Sequence, residues 1–204
     1  MRQDIINLEG KKAPGMKFYG IDPVLTTILV IGGSQGARSV NRAISKMLPS
    51  LLEEKVQLVW QCGISFEEEA QEVCRSLPKD KAERVKVFDF ITRMDLAYAV
   101  ADIVISRAGA IAISELCIAG KPVILVPLPS AAEDHQTKNA RSLEDRDAAI
   151  MVADSKQDYE LLPALKTLLD EPERRESMGS NIKAMARPDA TEKIVDEVIK
   201  LLKK

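Results

Sequence analysis

Short runs of apolar residues alternate with amphipathic stretches along most of the chain. The first clear run, Thr26–Ile31, is apolar after its two threonines and leads at once into a glycine-rich turn and a helical pattern. Strands that are apolar on both faces are typical of a parallel sheet covered by helices on both sides. We therefore predict an α/β fold, a Rossmann-like doubly wound parallel sheet of about six strands with helices on both faces.

The predicted elements follow one another in regular order. Strands are predicted at 26–31, 56–60, 84–88, 102–106, 123–126 and 148–152. Helices are predicted from the glycine-rich turn to about 52, and at 66–77, 94–100, 111–119, 133–143, 157–169, 173–186 and 190–202. Residues 1–24 contain glycine, proline and charge without a period, which indicates an irregular lead-in.

The pattern also suggests a division into three parts. These are the lead-in at 1–24, a Rossmann-like domain at 25–188 and an amphipathic C-terminal helix at 189–204. A helix of the last kind can lie on a membrane surface. We favour packing against this domain or a partner domain, because its basic face is thin and interrupted by acidic residues.

Residues 101–127 form the unit around which the candidate chemistry is arranged. A strand ends at Ser106, a turn of small residues follows, and a helix begins near Ile111. A helix that begins beyond a parallel strand presents unpaired N–H groups and a positive dipole end, which suit a phosphate. Glu115, about one turn later, is placed to accept two hydrogen bonds from a ribose diol. The same geometry occurs in ordinary α/β units, so it does not define a ligand alone.

The glycine-rich turn at residues 32–36 is a second candidate. It lacks the spacing of the dinucleotide fingerprint and the Gly-Lys-Ser/Thr ending of a P-loop. Its glycines let the backbone approach a ligand, and the Ser34 hydroxyl can face a phosphate. An equally good interpretation is a tight strand-to-helix turn capped by Ser34.

Two further loops and one arginine follow predicted strands at the same edge. In residues 88–92 an exposed backbone N–H and C=O can pair with the edge of a base, although we favour a loop with two buried aromatic side chains. Residues 127–140 place six polar side chains within seven positions, which suits a polyol. The alternative there is an N-capped helix with Glu133 and Asp134 in its first turn. Arg107 can neutralise a phosphate or form a salt bridge within its turn.

The composition of the chain argues against several classes of function. The chain has 204 residues, 46% of them hydrophobic, and a net charge of −2, as expected of a globular protein. Lysine and arginine are scattered rather than gathered into the basic face that nucleic acid needs, so we expect no nucleic-acid partner. No apolar run approaches the roughly 20 residues that span a bilayer. Cys62, Cys74 and Cys117 lack metal-ligand spacing, and we expect them to be buried or half-buried in a soluble, cytosolic protein.

Candidate catalytic and metal-binding groups are few. His135 is the only histidine, so the spacing supports neither a Ser-His-Asp triad nor a histidine pair for a metal. Residues 145–147 match the Asp-x-Asp pattern of metal-dependent sugar transferases. They lie between a predicted helix and the next strand, at the edge of the sheet away from the ligand, which indicates a solvated turn. We expect no metal and no other cofactor.

Three motifs in order resemble the MurG family: GGSQGAR after the first strand, SRAGAIAISE in the central unit and EDHQTKNA in the next loop. These bacterial enzymes transfer N-acetylglucosamine from its UDP donor (UDP-GlcNAc) to lipid I, an undecaprenyl-linked muramyl pentapeptide, to make lipid II for peptidoglycan. The likeness runs from Arg2 to the C-terminus and covers only the donor-binding half of a two-domain GT-B glycosyltransferase. It implies a domain cut from a longer protein, with Met1 where an interdomain segment would continue.

The resemblance implies a donor site, residue by residue. Ser34 and the helix start at 110–112 would hold the diphosphate, and the Ile91 backbone would read uracil. Glu115 would bind the ribose hydroxyls, and Gln136 together with His135 would contact the sugar. The implied substrate-binding residues are Arg2, Ser34, Ile91, Ala110, Ile111, Ala112, Ile113, Ser114, Glu115, His135 and Gln136. Secondary candidates are Gly33, Gln35, Gly36, Arg107, Gly109 and Asn139.

Two positions depart from the family pattern. Ala112 stands where some relatives have threonine, so a hydroxyl contact to phosphate is absent there. His135 replaces the first of two glutamines, which leaves the sugar contact of that position open.

The resemblance further implies an inverting transfer in which the helix dipole and backbone N–H groups stabilise the departing UDP. It assigns the general base to the missing half, so we expect no catalytic residue here and a chain that binds the donor without transferring it. It implies UDP-GlcNAc as partner and, through the missing half, lipid I and the cytoplasmic face of the inner membrane. The alternatives are the donor domain of another UDP-sugar transferase or of a UDP-GlcNAc epimerase, and a non-catalytic interaction domain.

Overall fold

The computed structural model describes residues 3–33 and 35–188, together with residues 193, 195, 199 and 200. Arg2 and Ser34 lie outside these ranges, as does most of the helix predicted at 190–202.

The described residues form one parallel sheet of six strands. The strands are β1 (Thr26–Ile31), β2 (Val56–Gln61), β3 (Val85–Phe88), β4 (Ile103–Ser106), β5 (Val123–Leu125) and β6 (Ile150–Met151). Their order is β3-β2-β1-β4-β5-β6, and each neighbouring pair runs parallel. The predicted Rossmann-like sheet is confirmed.

Helices cover both faces of this sheet. The α-helices of the described ranges are α1 (Lys12–Tyr19), α2 (Arg38–Leu51), α3 (Glu67–Arg75), α4 (Lys79–Ala82), α5 (Met94–Val100), α6 (Ala110–Ala119), α7 (His135–Glu144), α8 (Gln157–Asp170) and α9 (Pro172–Ala184). Short 3₁₀ turns occur at Gln3–Ile5, Ile64–Phe66, Ala132–Asp134 and Asp154–Lys156. The doubly wound arrangement follows from this alternation of strand and helix.

Successive strand residues point into two separate cores. In β1, Ile28 and Val30 lie in the core shared with α2, α3 and α8, whereas Leu29 and Ile31 lie in the core shared with α1, α5, α6 and α7. Helix α9 contributes Met178 to the first core and Ile182 to the second. Because helices cover both faces, the inner strands are apolar throughout, and this is the pattern that identifies them in the sequence.

The lead-in contains a helix, α1, which the sequence analysis missed. It packs against α5 so closely that a Cβ on Gly15 would lie 2.6 Å from Val100 Cγ1 and 2.9 Å from the Leu96 carbonyl oxygen. This contact requires glycine, but glycine and Pro14 are both poor helix formers. The prediction of an irregular lead-in is therefore wrong, because tertiary packing outweighs local propensity.

The other differences lie at the ends of elements. Strand β6 has two residues instead of the predicted five. Helix α7 begins at His135, after the 3₁₀ turn at Ala132–Asp134, rather than at 133. Short elements such as α4 carry too few residues for a periodic signal.

Asp95, at the start of α5, fastens the lead-in to the rest of the domain. Its buried carboxylate accepts two hydrogen bonds of 2.9 Å from Arg93 and lies 3.1 Å from Lys11 Nζ. Lys11 also donates to the Asp4 carbonyl, and the Tyr19 hydroxyl donates to the Arg93 carbonyl. The hydrogen bonds from Arg93 hold the pKa of Asp95 well below its ordinary value of 3.8.

We expect Asp95→Asn to lower the free energy of unfolding by about 1–2 kcal/mol at pH 7, because it removes a buried charge from two cations. The pKa of Asp95 is lower in the folded chain than in the unfolded chain. Its contribution is therefore fully present above about pH 4 and is lost as the pH falls through the folded pKa. Urea denaturation at pH 7 and at about pH 3 should show a difference between the two proteins that shrinks at the lower pH.

The matched control for this measurement is Asp158→Asn. The Asp158 carboxylate pairs with Lys46 at the surface, where both side chains are well exposed. Its loss should change the free energy of unfolding by less than about 0.5 kcal/mol. An effect of Asp95→Asn that is the same at both pH values would contradict the ion-pair explanation.

Candidate functional site

A cleft of about 750 Å³ opens at the carboxyl edge of the sheet. Its walls come from the loops after β1, β3, β4 and β5, from the end of β2 and from the start of α6. The strand order changes direction between β1 and β4, and sheets of this kind bind ligands at that point. The predicted site residues on its walls are Gly33, Gly36, Ile91, Arg107, Gly109, Ile111, Ala112, Glu115 and Gln136.

The first turn of α6 presents three backbone N–H groups, those of Ala110, Ile111 and Ala112. Within the described ranges none of the three has a hydrogen-bond acceptor, and the helical bonds begin with Ile113, which donates to the Gly109 carbonyl at 2.9 Å. Gly109 occupies the N-cap position without a side chain. Open N–H groups and the positive end of the helix dipole together make a seat for an anion such as phosphate.

Glu115 lies in the second turn of α6, on the wall of the cleft. The hydroxyl of buried Tyr98, from α5, donates to Glu115 Oε2 at 3.4 Å and orients the carboxylate. A carboxylate has about four acceptor positions, so Glu115 can hold Tyr98 and also accept from a vicinal diol.

The glycine-rich loop after β1 packs against the loop after β2. Gly36 and Gly63 have φ angles of 76° and 81°. A Cβ on Gly36 would lie 2.0 Å from the Cys62 carbonyl oxygen, and a Cβ on Gly63 would lie 2.3 Å from the Gln35 carbonyl oxygen. Glycine is therefore required at 36 by the contact between the two loops. Gly33, with a φ of 84° and nothing within 4 Å of a Cβ position, leaves open space beside the cleft.

Arg107 connects several loops. Its guanidinium donates to Asp154 Oδ1 at 2.6 Å and to the carbonyls of Val126 and Pro127 at 3.0 and 3.2 Å. It also donates at 2.7 Å to the Ser39 hydroxyl, which itself donates to Asp154 at 2.7 Å. Of the two alternatives for Arg107, the salt bridge within the turn is wrong, because the carboxylate comes from the loop after β6. Because the Asp154 carboxylate partly neutralises the guanidinium, Arg107 attracts a phosphate less strongly than an arginine without such a partner.

Backbone groups fix the orientation of the Gln136 amide at the start of α7. Its Oε1 accepts from the N–H groups of Ala108 at 3.2 Å and Leu128 at 3.0 Å. The amide nitrogen has no acceptor among the described residues, so it can donate a hydrogen bond to another molecule. Asn139 donates to the Ala108 carbonyl at 3.1 Å, so two side chains of α7 hold one residue of the turn before α6.

The turn before α7 holds two non-glycine residues in the left-handed region. The φ angles are 50° for Glu133 and 54° for Asp134. Asp134 occupies the N-cap position but makes no side-chain cap hydrogen bond, so the alternative of an N-capped helix with both acids in its first turn is wrong. His135 is exposed, and its Nδ1 lies 2.8 Å from the Ala132 carbonyl oxygen.

The loop after β3 differs from the favoured interpretation of residues 88–92. Ile91 lies on the cleft, but its N–H donates to Gln61 Oε1 at 3.0 Å and is not open to a ligand. Phe90 is 45% exposed on the cleft wall, whereas the Phe88 ring packs edge-on against Tyr19 at a centroid distance of 5.5 Å. The favoured interpretation of two buried aromatics is therefore wrong for Phe90.

Other predicted site residues lie on a different surface. A groove of about 470 Å³ between α6, α7 and the end of α9 is lined by Ala110, Ile113, Ser114 and Asn139, and it shares Ile111 with the cleft. Consecutive helical residues point about 100° apart, so 110–115 divide between the two surfaces. Gln35 and His135 are on the walls of neither. The assignment of these residues to a ligand stays a prediction.

Sequence reasoning missed the side chains that hold the cleft together. Gln61 and Ser39 lie on its wall, and Asp154 supports Arg107 from behind. Gln61 can be found from the sequence, because it is a polar residue at the carboxyl end of an apolar strand. Asp154 and Ser39 have no such signal, because they contact Arg107 although they are 47 and 68 residues away from it in the sequence.

The described part of the chain holds no cluster of three or more His, Cys, Asp or Glu residues placed for a metal ion. Cys62, Cys74 and Cys117 are buried, and burial raises the pKa of each thiol, to about 11 for Cys62. Residues 145–147 form an exposed turn at the amino end of β6. Among the helices that the structure describes, none is long and apolar enough to cross a bilayer.

Comparison with protein families identifies the domain. Residues 27–194 match the family model described as "Glycosyltransferase family 28 C-terminal domain". The chain belongs to this family. The matched range contains all of the sheet except Thr26 and every wall of the cleft, so the cleft is part of the family 28 domain itself.

The curated relatives carry one name. The chain is 45% identical over 202 residues to the "UDP-N-acetylglucosamine--N-acetylmuramyl-(pentapeptide) pyrophosphoryl-undecaprenol N-acetylglucosamine transferase" of Flavobacterium psychrophilum, with 99% of this chain and 53% of that protein covered. The protein of the same name from Parabacteroides distasonis is 44% identical over 204 residues, covering 100% and 55%. The chain thus spans about half the length of the curated relatives it matches.

A solved structure agrees with these matches. The crystal structure of Acinetobacter baumannii MurG matches with a TM-score of 0.76 and 31% identity, covering 96% of this chain and 55% of that one. The resemblance of this family 28 domain to MurG is confirmed.

Proposed function

We propose that the chain is the donor-binding domain of the glycosyltransferase that adds N-acetylglucosamine to lipid I, and that its cleft holds UDP-GlcNAc. The observation that carries the proposal is the convergence on one cleft of an anion seat, a carboxylate and an oriented amide. These are the open N–H groups of Ile111 and Ala112, Glu115 and Gln136. The names of the curated relatives supply the substrate, and they support a nucleotide-sugar donor over other phosphate ligands.

The geometry suggests a role for each part of the cleft. The first turn of α6 would hold the diphosphate through N–H groups and the helix dipole. Glu115 would accept from the ribose diol, and the Gln136 amide nitrogen would donate to the sugar. The Ile91 loop would contact the base. Arg2, Ser34 and His135 remain part of the predicted site without structural support.

The proposed reaction is an inverting displacement. The C4 hydroxyl of the muramyl sugar attacks the anomeric carbon of N-acetylglucosamine, and the bond from that carbon to the diphosphate oxygen breaks with its electron pair leaving on UDP. The anion seat at α6 stabilises the charge that develops there, without a metal ion. The proton of the attacking hydroxyl passes to a base in the acceptor-binding half, so the present chain binds the donor without transferring it.

The proposed context of the domain follows the same reasoning. Residues 25–188 would form the donor domain, 1–24 the interdomain segment and 189–204 a terminal amphipathic helix. The acceptor-binding half would contact lipid I, and the whole enzyme would be peripheral on the cytoplasmic face of the inner membrane.

Calorimetric titration of the 204-residue chain tests the proposal. UDP-GlcNAc should bind more tightly than ADP-glucose, which has the same diphosphate but another base and sugar. A panel of other UDP-sugars tests the sugar, since a transferase or epimerase for a different UDP-sugar would prefer a different member. Equal affinity of a folded chain for UDP-GlcNAc and ADP-glucose would refute the proposal.

We expect Gln136→Glu to weaken UDP-GlcNAc binding by about tenfold and UDP binding by less. The glutamate keeps an oxygen for the N–H groups of Ala108 and Leu128 but replaces the amide donor with a second acceptor. Titrations with both ligands give the ratio. Thr137→Ala, at the next position of α7 and on the walls of neither the cleft nor the groove, is the control and should stay within about twofold of wild type. A Gln136→Glu protein with unchanged preference for UDP-GlcNAc over UDP would remove Gln136 from the sugar contact.

A further inference from the structure

Gln61, the last residue of β2, joins two walls of the cleft. Its Nε2 donates to the Gly33 carbonyl at 2.7 Å, and its Oε1 accepts from the Ile91 N–H at 3.0 Å. The residue is 4% exposed, so neither bond competes much with water. Because β2 lies between β1 and β3, one side chain reaches both the glycine-rich loop and the loop after β3.

The two contacts have opposite polarity. The Gly33 carbonyl needs a donor and the Ile91 N–H needs an acceptor, and only an amide of this length supplies both in fixed positions. A buried carboxylate would repel the Gly33 carbonyl, and an apolar side chain would leave both groups unpaired. This one side chain therefore bridges the two loops.

Gln61 also determines which backbone group the Ile91 loop can offer. The Ile91 N–H is used by its hydrogen bond to Gln61. The Ile91 carbonyl stays available, because no described residue donates a hydrogen bond to it. A carbonyl on the cleft pairs with an N–H of a ligand and not with a lone pair. Uracil carries an N–H at N3, whereas cytosine, which has nearly the same shape, carries a lone pair there.

We propose that Gln61 is a positioning residue that sets base selectivity: by holding the Ile91 N–H it presents the Ile91 carbonyl to a base with an imide N–H. This inference rests on the proposed function, since it requires that the cleft hold a nucleotide. It assigns to Gln61 a role in ligand choice beyond the joining of two loops.

The test compares UDP with CDP by calorimetry on the 204-residue chain and its variants. Wild type should prefer UDP, because a site built for an N–H rejects the analogue that lacks it. Gln61→Met has similar volume but neither hydrogen bond, and its UDP-to-CDP preference should fall by about tenfold. Circular dichroism confirms that the variants are folded.

Gln57→Met is the matched control. Gln57 lies four residues earlier on the same strand, is 2% exposed and bonds Asp22 and Thr27 at the opposite edge of the sheet. Its loss should lower stability without changing the preference for UDP. A fall in selectivity that is equal in the two variants would show that Gln61 acts only through stability.

Gln61→Glu supplies a readout that depends on pH. At pH 8 its carboxylate repels the Gly33 carbonyl, and the UDP preference should be low. At about pH 5 a buried carboxyl group takes up a proton, donates to that carbonyl as the amide does, and should restore part of the preference. Wild type should show no such recovery.

The outcomes separate the two proposals. A folded wild-type chain that binds neither UDP nor CDP would overturn the proposed function, and one that binds both equally would overturn the base selectivity. A wild-type preference that persists in folded Gln61→Met would overturn the role of Gln61 alone. If Gln61→Met fails to fold, the pH profile of Gln61→Glu decides, and a profile parallel to wild type counts against the inference.

Discussion

Replacing Glu115 with alanine should weaken the binding of UDP-GlcNAc by about 1.5–3 kcal/mol, or roughly 10- to 150-fold. The carboxylate is charged, partly buried and oriented by Tyr98, so its hydrogen bonds to a ribose diol would be charge-assisted. Titrations of UDP-GlcNAc, UDP and 2′-deoxy-UDP against both proteins measure the effect. The variant should lose most of the preference for the ribonucleotide, because the diol is the group that Glu115 addresses.

Ser114→Ala is the control for Glu115→Ala. Ser114 is the preceding residue of α6, but its hydroxyl donates to the Ala110 carbonyl and it lines the neighbouring groove. Its loss should leave the affinity within about twofold. Unchanged affinity in Glu115→Ala, or an equal loss in both variants, would take the Glu115 carboxylate out of the proposed site.

We expect Gly36→Ala to lower the free energy of unfolding by about 3 kcal/mol or more and the melting temperature by roughly 6–12 °C. A Cβ at Gly36 would meet the Cys62 carbonyl oxygen at 2.0 Å, and the φ of 76° is itself unfavourable for alanine. The two loops must separate to make room. Thermal unfolding followed by circular dichroism gives both quantities.

Gly20→Ala isolates the backbone contribution. Gly20, at the end of α1, has a φ of 59° but nothing within 4 Å of a Cβ position. Alanine there should cost only about 1 kcal/mol, the strain of the left-handed conformation. The double variant Gly36→Ala, Gly63→Ala should cost less than the sum of the single ones, since either methyl group opens the same contact. Additive losses would mean that the loops do not share this contact.

Much of the fold can be predicted from the sequence because burial of both faces of the sheet leaves a strong apolar signal. Thr26–Ile31 is predicted with its observed ends for this reason. Helix α1 is missed because its stability comes from the fit of Gly15 against Val100 and Leu96, which local propensity does not reveal. Strand β6 is overestimated because 148–152 are apolar for packing in the core, and only two of them pair with β5.

Site residues can be predicted where a characteristic residue type comes just after a predicted strand. They are harder to predict where contacts between distant parts of the sequence determine their partners. Glu115 and Gln136 are predicted from the sequence, and the structure places both on the cleft. For Arg107 the alternative of a salt bridge within its turn fails, because its carboxylate partner, Asp154, lies beyond two further strands. The hydrogen bond from the Ile91 N–H to Gln61 is not predicted, because nothing near Ile91 in the sequence reveals the Gln61 side chain.

The contact between Gly36 and Gly63 has a consequence for protein engineering. A designer who transplants the GGSQGAR segment into another α/β scaffold would move only half of a two-part unit, because its backbone shape depends on Cys62 and Gly63. The graft should keep its native conformation only when the recipient also receives the Gln-Cys-Gly end of the adjacent strand.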